Sequence, residues 1–415
     1  SLATAAWANS TATQAAAMAP NENSLAATVD LPDAAKPGAM RPGDKPREAP
    51  QAPPPESSFK VPALVDRPLE IDDGEKLAVK QFVLDGAIDR PQHGIAVADL
   101  QALVDAKLAE RPDGFSVGRL QEVADAVTKY YRDRGLILAQ AFVPVQSVDG
   151  GAVKIQIMEG LLGNVVTEGN KMYKPKVLSQ PFTKLIGQPV TKESIESALL
   201  TVSDNPGLSS FGVFQPGTRV GTADIMLKVQ DEKRFESALR WDNHGIRETG
   251  LNRELGRFTV NDPLGVGDRF TTTIQRTVAP RNTWFYALDY QIPVVRLYDT
   301  MFGIGVDRNQ FDVGGDFRDA NIHSDIRNYN ISLTKNFVRS RLMNFSATTR
   351  LAKKRSGTKS DGRKQNIDSL VVASGEFNFD NVDARFGGLN TASLEISHGF
   401  NDLFGAMGSN PAFVP

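Results

Sequence analysis

The chain repeats itself, and that constrains its fold more than any single motif. A strand, two helices and two strands run from about residue 75 to 160, and the same order returns from 161 to 232. In the first copy, Val79 to Leu84 is a strand ending at Asp85-Gly86. Val97 to Leu108 puts Leu100, Leu103, Val104 and Leu108 on one helical face. Ser116 is placed to cap a second helix with the stripe Leu120, Val123, Ala124 and Val127; Tyr130 and Tyr131 follow, and Gly135 stops it. In the second copy, Leu162 to Val166 with Glu168-Gly169-Asn170 echoes the first strand and turn. Val177 to Ile186 is the first helix, and Thr191 caps the second, which carries Ile195, Ala198, Leu199 and Val202. Leu208 to Phe214 and Ala223 to Val229 are the closing strands. Two copies of one β-α-α-β-β unit predict two α+β modules in tandem.

The closing hairpin of the first copy has a more specific pattern. An apolar run from Leu136 ends at Val143, and Pro144 forbids its continuation as a central strand. Asp149-Gly150-Gly151 is a turn signal, because glycine reaches positive φ without steric cost. Val153, Ile155 and Ile157 then alternate with Lys154, Gln156 and Met158, the period of a half-buried strand, which Glu159-Gly160 ends. The string P-x-Q-x-x-x-G, alternating apolars and E-G, carried here by Pro144, Gln146, Gly150, Glu159 and Gly160, resembles the end of the first polypeptide-transport-associated (POTRA) domain of two-partner secretion transporters. The resemblance implies a Gram-negative outer-membrane protein with periplasmic POTRA repeats. Its partners would be an unfolded exoprotein and outer-membrane lipid, and it would be monomeric.

After Gln230 helical periodicity disappears. Phe235 to Trp241 opens a series of alternating segments of about ten residues. The clearest carry Trp284, Tyr286, Leu288 and Tyr290; Tyr329, Ile331, Leu333 and Phe337; and Ala392, Leu394 and Ile396. Short turns such as 261–268 and 336–341 alternate with two longer polar loops expected at 311–327 and 353–368, as in outer-membrane barrels. About nine such strands are legible, whereas bacterial barrels close with even numbers, and the V-R-G-[YF] loop motif of the resembled family does not occur. The expected fold is therefore α+β POTRA repeats followed by an antiparallel transmembrane β-barrel, here truncated. The expected division is a signal-peptide remnant over 1–8, an Ala/Pro-rich leader and linker over 9–74, POTRA modules over 75–160 and 161–232, and the N-terminal part of the barrel over 233–415.

The rest is mostly exclusion. Cysteine is absent, so thiol catalysis, disulfides and Cys-ligated zinc are ruled out. His93, His244, His323 and His398 lack metal-ligand spacing, and a formal charge of −2 gives no global field for nucleic acid. Gly265-Val-Gly267 and Gly303-Ile-Gly305 read as strand and turn glycines, Asp242-Asn243-His244-Gly245 reads as a loop, and no nucleotide, hydrolase or metalloprotease motif is present. No catalytic residue, metal or cofactor is implied. Ala6-Trp7-Ala8 is compatible with a cleavage site before Asn9, and Thr11 to Met18 with either a short plug helix or a disordered leader. Lys353, Lys354, Arg355, Lys359, Arg363 and Lys364 form a basic cluster suited to acidic headgroups or simply to a solvated loop. Backbone binding remains. The candidate client strands are Leu138, Ala139, Gln140, Ala141, Phe142 and Val143 in the first module, and Leu208 to Phe214, with Phe211 and Val213, in the second. Each is either an edge that accepts an added strand or an ordinary core strand. The competing functions are a barrel-assembly factor and a soluble periplasmic scaffold.

Overall fold

The computed structural model describes residues 59–60, 76–148, 150–279, 281–294, 297, 299–383, 385 and 388–408. The signal-peptide and plug-helix expectations for residues 1–18 lie outside the described residues. A two-residue strand, β1 (Phe59–Lys60), precedes the first module. That module runs β2 (Gln81–Asp85), α1 (Val97–Ala109), α2 (Val117–Asp133), β3 (Gln140–Phe142) and β4 (Ala152–Met158). Ser116 starts α2, its hydroxyl oxygen accepting from the Arg119 N–H at 3.3 Å, and Gly135 follows the helix at φ +91°. The α2 stripe and Leu100 and Val104 of α1 bury against Phe82, Val153 and Ile155 of the sheet. In that sheet β4 is central, parallel to β2 and antiparallel to β3.

The second module repeats the order as β5 (Leu161–Glu168), α3 (Pro175–Ser179), α4 (Lys192–Ser203), β6 (Leu208–Pro216) and β7 (Thr222–Glu232). Thr191 caps α4 by accepting from the Ser194 N–H at 3.2 Å. The helix expected over 177–186 is only five residues long and passes into a 3-10 turn over Gln180–Phe182. Pro181 explains the break, since it has no N–H to give to the carbonyl four residues back. Strand order is β1-β6-β7-β5, so the last strand is again central and the strand before it lies outward.

The third unit is one sheet of nine antiparallel strands in sequence order. They are β8 (Phe235–Asp242), β9 (Arg253–Asn261), β10 (Arg269–Thr277), β11 (Thr283–Pro293), β12 (Thr300–Asp312), β13 (Ile322–Arg339), β14 (Met343–Ser360), β15 (Arg363–Asp383) and β16 (Gly388–Phe400). Within the described residues β8 and β16 are its edges. Two loop expectations are corrected. Residues 353–368 are strand: β14 and β15 pair from Met343↔Asn381 to Ser360↔Arg363 and close on Asp361-Gly362, both at positive φ. Such a two-residue Asp-Gly connection has the twist a hairpin needs. The basic cluster therefore sits on a strand hairpin. Of 311–327, only 313–321 leaves the strands, stapled by Phe311, Val313, Ile322 and Ile326.

Candidate functional site

The signature residues each have a structural task. Pro144 lies beyond the end of β3, and Gln146 then takes over backbone pairing with its side chain. Its Nε2 donates to the Lys154 carbonyl at 2.8 Å, and its Oε1 accepts from the Lys154 N–H at 2.9 Å. Gly150 and Gly151 turn the chain at positive φ. Glu159 is buried and paired with Arg90, whose Nη2 and Nε donate to one carboxylate oxygen at 2.7 and 3.2 Å. That bond holds the Arg90 pKa above its usual value. Burial pushes the Tyr131 phenol up to about 12, with the Glu159 charge adding to it. Gly160, at φ +72°, lies so close to Leu138 that a Cβ would meet the Leu138 Cβ at 2.5 Å. The Val190 N–H donates to the Gly160 carbonyl, and the Ile137 N–H to the Val190 carbonyl. The Glu-Gly pair thus builds the joint between modules. Arg90 was not legible as its partner, because a lone arginine before a proline has no periodic context.

The two candidate client strands differ. In the first, the ladder covers only Gln140–Phe142, so the expected strand over 138–143 is shorter than its apolar pattern. Leu138 precedes the ladder and packs on the second module's core, while Ala139 and Ala141 are buried in the first. Val143 follows the ladder. Beyond it a groove of about 450 Å³ opens between the start of α2 and residues 143–148, with Val117 and Val145 exposed on its walls. In the second module, β6 is nine residues long. Leu208 is buried and Phe214 packs on the core, whereas Phe211 and Val213 are half-buried on the opposite face.

The nine-stranded sheet has one apolar and one polar face. Trp284, Tyr286, Leu288, Ile304, Ile331 and Leu394 are exposed on one side. The other side surrounds a space of about 690 Å³ lined by Arg257, Arg269, Asp289, Asp307, Asn328 and Arg350. Exposed apolar residues alternating with a polar interior suit a lipid-facing wall and an aqueous lumen. No helix among the described residues is long and apolar enough to cross a membrane, and none of them forms a metal-binding cluster.

The second module is docked on the turns at one end of this sheet. Arg339, at the end of β13, makes two 2.7 Å bonds to Asp204, and Arg341 in the following turn reaches Glu196 at 2.7 Å. Asn261 Nδ2 donates to the Lys233 carbonyl at 2.8 Å, and the Gly267 N–H donates to Asp262 at 2.7 Å, which shapes the β9–β10 turn. Burial raises the pKa of Tyr173 in the module, and the charge of Asp262 in that turn adds to the shift. These ion pairs join residues far apart in sequence, so no local pattern announces them.

Residues 221–413 match the haemolysin secretion/activation protein family ShlB/FhaC/HecB, and residues 77–160 match its ShlB-type POTRA domain. Over those residues the chain is similar to this family. Residues 161–220 fall in neither match; within them and the strand that follows, the β-α-α-β-β order of the first module recurs. The heme/hemopexin transporter protein HuxB of Haemophilus influenzae (strain 86-028NP) is 25% identical over 305 residues, 70% of this chain and 53% of that protein. The outer membrane transporter CdiB of Escherichia coli O6:K15:H31 (strain 536 / UPEC) is 30% identical over 151 residues, 36% of this chain and 26% of that protein. The structure of CdiB from Escherichia coli superposes with a TM-score of 0.61 at 21% identity, covering 83% of this chain and 62% of that one. CdiB from Acinetobacter baumannii gives 0.51 at 18%, covering 85% and 66%. The chain thus spans about half the length of the HuxB relative.

Proposed function

We propose that this chain is part of an outer-membrane transporter of the ShlB/FhaC/HecB kind. Its two periplasmic modules capture an unfolded exoprotein and pass it into a barrel to which the nine-stranded sheet contributes. The observation that carries this reading is the two-faced sheet joined to docked modules whose outward strands, β3 and β6, lie beside grooves or half-buried apolar residues. Main-chain pairing at such an edge is indifferent to client sequence, which suits an extended polypeptide. Transport needs no catalytic group or cofactor of its own, since folding of the client outside the cell draws it through. The protein acts as a monomer in contact with outer-membrane lipid. The test is secretion of the exoprotein encoded beside it. Cells carrying both genes should release that protein into the medium, and deletion of residues 76–232 should hold it in the periplasm. Release that persists without those residues would refute capture by the modules.

A further inference from the structure

The β6 edge is already occupied, by the chain itself. β1 runs parallel to β6, with Phe59 opposite Gly212 and Lys60 opposite Val213. Two paired residues against a nine-residue strand make a minimal ladder. The edge is well prepared at this register. Gly212 lets Leu199 of α4 sit directly on the strand, for a Cβ there would meet Leu199 at 3.1 Å and Ile225 at 3.0 Å. On the face turned away from α4, Val213, Met226 and Val166 stand side by side on β6, β7 and β5, an apolar row that crosses the sheet and ends at the β1 position. The chain places a lysine at the register position next in that row. A short strand that breaks an apolar row at its last place is poorly matched to the edge it covers.

Resting on the transport reading above, we propose that Phe59–Lys60 is a displaceable placeholder on the second module's acceptor edge. An extended client segment takes its place, running parallel to β6 and putting an apolar residue at the register position of Lys60. The first module lacks this arrangement: among the described residues no strand lies outside β3, and the β3 ladder is three residues long.

The absence of cysteine makes the test direct. A full-length Lys60→Cys/Val213→Cys variant is oxidised, and binding of a fluorescent peptide of residues 56–62 is compared before and after reduction. A second peptide carries Lys60→Val. The inference expects the disulfide to form and peptide binding to fall at least about tenfold in the oxidised protein, with recovery on reduction to the wild-type level. The valine peptide should bind about two- to fivefold more tightly than the lysine peptide, the range of a cross-strand apolar pair. Failure of the disulfide to form would overturn the placement of β1, and undiminished binding to the oxidised form would overturn β6 as the acceptor edge. Equal binding of the two peptides would overturn the register assignment. The peptide readout involves no translocation, so failure of the transport reading would leave it unchanged.

Discussion

Single residues carry the joint and the docking. Side-chain exposure is 23% for Arg90 and 6% for Glu159, so Arg90→Met strands a carboxylate that cannot reach water. We expect it to cost about 2–4 kcal/mol in thermal melts, while Arg90→Met/Glu159→Met recovers most of that loss because both charges are gone. Asp262 behaves in the opposite sense. Burial raises its pKa, and its Oδ2 has no partner. The folded state therefore keeps a proton on Asp262 that the unfolded state releases from about pH 4 upward. Its contribution is fullest below that pH and is lost as pH rises through the folded value. Asp262→Asn, which tolerates the positive φ of this position, should flatten that part of the pH dependence of the denaturation midpoint; an unchanged slope would contradict it. Pro144, Gln146, Gly150, Glu159 and Gly160 were all legible as a motif, yet their tasks were not. A side chain that imitates backbone and a glycine pressed on Leu138 are facts of three dimensions.

At the scale of elements, periodicity was reliable where one face is buried and silent where neither is. The α2 stripe and its cap at Ser116 are both as the pattern implies, because a single apolar face had to meet the sheet. The ends of β14 and β15 are polar on both sides and so read as loop in the sequence, although Asp361-Gly362 marks a hairpin. Pro181 likewise stands inside the apolar pattern over 177–186 and breaks it, because periodicity alone does not register a missing N–H. Each module has its own buried cluster, with Leu100, Tyr131 and Ile155 in one and Leu178, Ile195 and Leu227 in the other. Residues 75–232 expressed alone should therefore unfold cooperatively, with helical circular dichroism lost in one or two sharp steps. A gradual, featureless loss would show that the modules need the sheet.

Across the whole molecule, the two faces of the sheet predict opposite responses to charge. Leu288→Arg places a guanidinium on the lipid side and should lower stability, by up to about 4 kcal/mol, in urea titrations of protein folded into liposomes. Asn328→Arg on the lumen side should leave that midpoint nearly unchanged. The two guanidinium bridges that dock the second module differ in the same way, by their access to water. Arg339 and Asp204 are 28% and 41% exposed, whereas Arg341 and Glu196 are 13% and 17%. Dissolved ions weaken the first pair far more than the second. A rise in salt should therefore loosen the Arg339 corner of the docking before the Arg341 corner, so that the strength of the attachment to the sheet depends on the ionic surroundings in two stages.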